Sequence, residues 1–186
     1  PAIDMTELEA LKTELKLPAN GRIWVAGSTH DGEEKQLVDV YQNLRKICPE
    51  LFLILVPRHP ERCRQVVDDL AKKEIDATLR STVSTMDKNF LPGEVMVVDT
   101  LGEMLKLYTL ADLVFVGGSL VPTGGHNVLE ASLVKKPVLF GPYMQNFKEI
   151  ARLLRAAHGG LQVMDSDDLY RQLKILLENP SEAERI

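Results

Sequence analysis

Six apolar runs of strand length, each followed by a stretch of helical period, constrain this chain more than any other feature. The runs are RIWVAG (22–27), LFLILVP (51–57), VMVVD (95–99), LVFVGG (113–118), PVLFGP (137–142) and GLQVM (160–164). Helical stretches follow at 33–47, in ERCRQVVDDLAKK, GEMLKLYTLA, HNVLEASLV and NFKEIARLLRAA, and in SDDLYRQLKILLEN. A weaker strand, DATLRS, lies near 76–81. The runs are continuously apolar rather than alternating, as strands covered on both faces are. Strands alternating with helices in this way predict an α/β fold with a parallel sheet between helical layers and right-handed crossovers. At 186 residues the chain suits one domain. A first helix over Met5 to Leu17 has no strand before it and reads as a linker from a preceding domain. The chain opens on Pro1 rather than Met, as a piece of a longer protein does.

Composition excludes several classes. No run approaches the ~18 apolar residues of a membrane span, and no signal peptide is visible. The net charge of −5, with no Lys/Arg cluster, argues against nucleic acid as a partner. Cys48 and Cys63 make no disulfide framework and read as reduced thiols of a cytosolic protein. The G-x-G-x-x-G, Walker A and G-x-S-x-G patterns are all missing, which disfavours a dehydrogenase, a P-loop NTPase and an α/β-hydrolase.

In an open parallel sheet, ligands bind beyond the carboxyl ends of the strands. The segments there are 27–30, 57–62, 99–104, 117–130 and 141–147, and they hold the Gly, Pro, His and polar residues; the loops KKEIDA, TLAD and LVKK at the opposite edge are plainer. Gly117 and Gly118 thin the wall at a strand end. Gly124 and Gly125 precede a helix predicted to start near Asn127, where bare backbone and unpaired N–H groups suit a phosphate. Asn127 with Glu130 reads either as a capping box or, at Glu130, as a carboxylate that accepts hydrogen bonds from a ribose. Asp31 with Glu34 reads as a helix cap, which leaves Ser28 and Thr29 as the ligand candidates of their loop. Arg58 and His59 face the mouth of a loop stiffened by Pro57 and Pro60. Met104 is either core or an apolar shelf under a base. His30, His59 and His126 come from three loops at one edge, but their spacing matches no metal motif. His158 reads as a surface residue at a helix end.

Taken together, STHDGEE, LILVPRHPER, DTLGEM, ADLVFVGGSLVPTGGHNVLEAS, KPVLFGP and NFKEI resemble the 3-deoxy-D-manno-octulosonic acid (Kdo) transferases of Gram-negative bacteria. The resemblance runs in order over 23–150. It implies a GT-B glycosyltransferase, built from two Rossmann-like halves around a cleft, of which this chain is the C-terminal, donor-binding half. It implies CMP-Kdo as donor, a lipid A precursor as acceptor, inverting transfer without a metal, and action at the cytoplasmic face of the inner membrane in lipopolysaccharide biosynthesis. The base is then expected in an N-terminal half outside this chain, which alone is expected to be soluble and inactive. Under that resemblance Arg58, His59, Pro60, Gly102, Glu103 and Met104 lie near the nucleotide. Gly118, Ser119, Gly125, His126 and Asn127 surround the phosphate, Glu130 holds the ribose, and Asn146 faces the cleft. Another GT-B enzyme, such as a UDP-sugar transferase or a UDP-N-acetylglucosamine 2-epimerase, and a non-catalytic nucleotide-binding module are the rival readings.

Overall fold

A computed structural model describes residues 4–157 and 159–179; His158 lies outside the described residues. The strands are β1 (Arg22–Thr29), β2 (Leu51–Pro57), β3 (Ala77–Leu79), β4 (Val95–Val97), β5 (Leu113–Val116), β6 (Val138–Phe140) and β7 (Gly160–Gln162). The helices are α1 (Met5–Glu14), α2 (Glu33–Leu44), α3 (Cys63–Lys72), α4 (Met104–Leu110), α5 (Leu129–Ser132), α6 (Lys148–Ala156) and α7 (Ser166–Glu178). The seven strands form one sheet in the order β3-β4-β2-β1-β5-β6-β7. Every pairing is parallel.

The continuously apolar runs are explained by the two faces they bury. Successive strand residues point to opposite sides of the sheet. On one side Trp24, Leu53, Leu55, Phe115 and Leu139 pack with Leu37, Tyr41 and Leu44 of α2, Val66 and Leu70 of α3, and Leu169 and Leu173 of α7. On the other, Val25, Phe52, Ile54, Val114 and Phe140 pack with Leu107 and Tyr108 of α4, Ala131 of α5 and Ala151 of α6. Each fully buried side chain of this kind contributes about 1.5–3 kcal/mol. The helix α1 has no buried residue and leans on the second layer through Leu8 and Leu11. Cys48 and Cys63 are buried free thiols, and burial pushes both up to about 11.

Helix starts differ from two expectations. Asp31 does not cap α2; the cap position is Gly32, with φ of 84° and no side-chain hydrogen bond. Asp31 instead lies near Arg62, at 3.5 Å. The helix expected from Asn127 onward shrinks to the four residues of α5, beginning at Leu129. Glu130 is then the second helical residue, one position short of the third, where a capping box places its carboxylate.

Chain direction across the sheet reverses at β1, which pairs with β2 on one side and β5 on the other. Such a reversal opens a crevice between the carboxyl ends of the two strands. Among the described residues no helix is long and apolar enough to cross a membrane.

The interior around β1 tolerates no added atom. A Cβ at Gly27 would fall on the Tyr108 hydroxyl and within 2.9 Å of Met104 Sδ. Both belong to α4, whose seat against β1 fixes the floor of the crevice. We expect Gly27→Ala to cost about 1–3 kcal/mol by overpacking. A lowered midpoint in urea unfolding is the expected result, and an unchanged midpoint contradicts this packing.

Candidate functional site

The segments after β1, β2, β4, β5 and β6 wall the crevice. At the end of β1 the register with β2 shifts between Gly27 and Thr29, and Ser28 takes φ of 55°. Ser28 is half-buried, while the side chain of Thr29 turns inward and its hydroxyl donates to Glu34 Oε2 at 2.7 Å. Glu34 also accepts from both terminal nitrogens of Arg62, at 3.2 and 2.8 Å. Arg58, His59 and Pro60 follow β2, with Arg58 and His59 exposed. A cleft of about 190 Å³ opens here, lined by Ser28, Arg58, Pro60, Thr100, Gly102 and Met104 among others. A second cavity of about 190 Å³ lies between α2 and α3, around Lys35, Val66 and Lys73, on a helical face rather than at the strand ends. The first is the better candidate, because it lies beyond the carboxyl ends of the strands, where ligands of open parallel sheets bind.

The glycine-rich loop after β5 is held from within. Glu33, fully buried at the start of α2, accepts from the backbone N–H groups of Gly118, Ser119 and Leu120 at 2.8, 3.1 and 2.9 Å. It also accepts from His30 N at 3.2 Å. Burial pushes the Glu33 carboxyl up, against the pull of these amides. Ser119 is fully buried; its hydroxyl donates to Val116 O at 2.6 Å and accepts from Gly141 N at 2.8 Å. Gly125 N donates to Gly118 O at 2.8 Å, and Asn146 N to Gly124 O at 3.2 Å. A Cβ at Gly125, where φ is 82°, would run into Met144 Sδ.

These contacts sort the expected site residues. Ser28, Arg58, His59, Pro60, Gly102 and Met104 gather around the cleft. Glu103 is beside them, but its carboxylate is taken by Arg80 at 3.2 and 3.1 Å and by the Thr100 hydroxyl at 2.6 Å. Thr29 and Ser119 are corrected from ligand candidates to supports, because each is buried with its hydroxyl committed to the protein. The Gly118 amide is committed likewise. The close approaches at Gly118, Gly124 and Gly125 are made by the chain itself, at His126, Asn146 and Met144. Asn127, Glu130 and Asn146 are exposed.

Two residues have roles that the sequence reading of the site misses: Glu33 is passed over, and His30 is weighed only as a metal ligand. One is Glu33, which stands in line with Leu37, Tyr41 and Leu44 on the buried stripe of α2; a carboxylate at that spacing is the signal. The other is His30. Its Nε2 lies 2.7 Å from His126 Nε2, and the two rings stack with centroids 4.9 Å apart. His59 meets His30 edge-on at 5.6 Å. Among the described residues no group of three or more His, Cys, Asp and Glu is placed to hold a metal ion.

Burial first, then the neighbouring His30, Arg58 and His59, holds His126 down at about 4. His30 is lowered by burial and by His59. The pair is therefore neutral at pH 7, one Nε2–H donating to the other nitrogen. An imidazole with an ordinary value of 6.5 in the unfolded chain and about 4 in the fold leaves the unfolded state richer in protons between those values. Its contribution to stability is full above pH 6.5 and is lost as pH falls toward 4. The expected result is a His126 ring resonance that titrates near pH 4, with an unfolding free energy that drops less steeply over this window in His126→Asn. Titration of His126 near its ordinary value contradicts the assignment.

Comparison with known proteins agrees with this geometry. No family model matches the chain. It is 39% identical over 186 residues to the 3-deoxy-D-manno-octulosonic acid transferase of Haemophilus influenzae, covering 98% of this chain and 42% of that protein. The Rickettsia bellii enzyme of the same name is 31% identical over 176 residues, 95% of this chain and 40% of that protein. The chain thus spans about two fifths of the length of these curated relatives. The crystal structure of the C-terminal CMP-Kdo binding domain of WaaA from Acinetobacter baumannii superposes with a TM-score of 0.85 at 28% identity, over 97% of this chain and 92% of that one. Anabaena HepE in complex with UDP-glucose shares the fold, with a TM-score of 0.67 at 16% identity. The chain belongs to the family of the 3-deoxy-D-manno-octulosonic acid transferases and has the fold of the C-terminal domain of a GT-B glycosyltransferase.

Proposed function

We propose that this chain is the donor-binding part of a transferase that moves Kdo from CMP-Kdo to a lipid A precursor at the cytoplasmic face of the inner membrane. The observation that carries this reading is the cleft beyond the carboxyl ends of β1, β2 and β4, bordered by Ser28, Arg58 and Met104 and adjoined by the His30–His126 pair. At about 190 Å³ it is smaller than a complete small-molecule site. That size suits one wall of a cleft whose other wall belongs to a second domain. The base and phosphate of CMP would lie along this wall, with the sugar directed outward.

Departure of CMP leaves negative charge on its phosphate. Arg58, exposed at the cleft, offers a fork of N–H donors to that charge, and the neutral His30–His126 pair offers a further polar edge. This disposition needs no metal ion. Activation of the acceptor hydroxyl needs a base within hydrogen-bond reach. The carboxylates of Glu33, Glu34, Glu103 and Asp99 are each committed, to amides, to Arg62, to Arg80 and to Ser81. We therefore assign the base to a domain outside this chain, and expect the chain alone to bind donor and transfer nothing. Glu130, exposed on α5, is a carboxylate able to accept from the ribose hydroxyls.

A UDP-sugar enzyme and a non-catalytic nucleotide module share the fold, so nucleotide preference is the discriminating measurement. A ligand bound only by the folded state stabilises by about 2.7 kcal/mol at 100 times its dissociation constant. We expect CMP to raise the melting temperature more than UMP or UDP does; equal or greater shifts with UDP overturn the reading. As a ribose acceptor, Glu130 gives charge-assisted bonds, so Glu130→Gln should weaken CMP by roughly 5- to 150-fold. Unaltered affinity in a folded Glu130→Gln chain removes the ribose contact.

A further inference from the structure

Burying an ionised carboxylate is costly unless hydrogen bonds compensate it. Glu33 is 0% exposed, and Arg62, the cation that reaches this end of α2, bonds to Glu34 instead. What compensates Glu33 is backbone: the successive amides of Gly118, Ser119 and Leu120, plus that of His30. Successive amides converging on one point form an anion-binding concavity. Here the anion is the protein's own side chain. The consequence reaches both loops that carry the stacked imidazoles. His30 is tied to Glu33 twice, its N–H donating to the carboxylate at 3.2 Å and its carbonyl accepting from Glu33 N at 3.0 Å. His126 rides on the loop that Glu33 holds at Gly118, whose carbonyl accepts from Gly125 N at 2.8 Å.

We propose that Glu33 is a positioning residue of the donor site: its carboxylate fills the amide concavity of the glycine-rich loop and thereby sets the loops bearing His30 and His126 in the conformation that receives the nucleotide. The inference rests on the donor-binding reading above. It adds that the Gly118–Leu120 amides are closed to the donor, so that the phosphate meets the outer part of the loop and Arg58 instead. It also separates the roles of two adjacent glutamates. Glu34 joins Thr29 to Arg62 and braces the β1 and β2 ends, while Glu33 reaches across to β5.

The test uses this chain and CMP. Glu33→Gln keeps the shape but turns an amino group toward amide donors, and is expected to weaken CMP by about tenfold or more. Glu33→Ala leaves the concavity empty; its CMP affinity should return toward that of the unmodified chain in sodium formate and not in sodium chloride of equal ionic strength. The backbone amide resonances of Gly118, Ser119 and Leu120 should shift in both variants and move back with formate in the alanine variant. Val66→Ala, a core change on α3, calibrates simple destabilisation and should lower the unfolding midpoint with CMP affinity unchanged. If neither Gln nor Ala folds, Glu33→Asp retains the charge but withdraws it from the amides, and weaker CMP binding by the folded protein is again expected. The two ways of failing are distinct. An unmodified chain that does not bind CMP overturns the donor reading. An unmodified chain that binds CMP, beside folded Glu33 variants that bind it equally, overturns the positioning role.

Discussion

The carboxylate of Glu33 is the contact on which the carboxyl edge of this sheet depends. It is taken from water at the start of α2 and given four backbone N–H donors in exchange. A hydrogen bond to a charged group is worth about 1.5–3 kcal/mol, and leaving such a group unsatisfied costs more. The arrangement is therefore close to all-or-none: α2 cannot sit on β1 with the carboxylate buried unless the loop after β5 curls to meet it. The linkage continues outward. Ser119, held by Glu33 through its N–H, accepts from Gly141 N through its hydroxyl and from Tyr143 N through its carbonyl. The ends of β1, β5 and β6 are thus joined by polar contacts laid over an apolar sheet.

The sheet permits this because its two faces carry the stability. With both sides covered by helices, the strand ends are free to hold turns rather than core. Other carboxylates near the edge follow the same logic at lower stakes. Glu103 pairs with Arg80 and Thr100, and Asp99 takes the N–H and hydroxyl of Ser81. Neutralising these groups locally matters in a chain of net charge −5, since it leaves exposed Arg58 and uncharged imidazoles to define the field a phosphate meets.

Much of this was legible in the sequence, and the misses share one cause. All seven strands stand where the apolar runs put them, because burial on two faces writes itself as continuous hydrophobicity, and a helix follows each run, though α5 keeps only Leu129–Ser132. Gly, Pro and His after successive strands also pointed to a candidate site at the carboxyl edge, where the structure brings Ser28, Arg58, Gly102 and Met104 to one cleft. Individual roles were not. The glycines of the loop after β5 looked like openings for a ligand, whereas Met144 and Asn146 fill the space beside Gly125 and Gly124. Asp31 had the composition of a cap, but a glycine with φ of 84° took the position. Thr29 and Ser119 had the chemistry of ligands and are buried supports. Each miss turns on which way a polar group faces, and tertiary contacts from distant segments decide that. Glu33 is the instructive case, since its place on the apolar stripe of α2 was visible, while its amide partners come from a loop 85 residues further along the chain.

A buried carboxylate beneath an anion site looks self-defeating, and the geometry explains why it is not. Two unit charges 4 Å apart repel by about 4 kcal/mol at an effective dielectric constant of 20. That figure applies to a bare charge. Glu33 is fully buried, its oxygens face backbone N–H groups and it does not line the cleft, where exposed Arg58 lies instead. The Gly118 carbonyl, on the peptide unit whose N–H faces Glu33, points away from the carboxylate and accepts from Gly125 N and the Thr123 hydroxyl. A carbonyl oxygen engaged by two donors of its own loop is masked from an incoming phosphate. An internal anion thus orders the loop by the means a bound phosphate would otherwise supply, and does so before any ligand arrives. Ordering in advance lowers the conformational cost of binding, which suits the donor-binding role proposed for this edge.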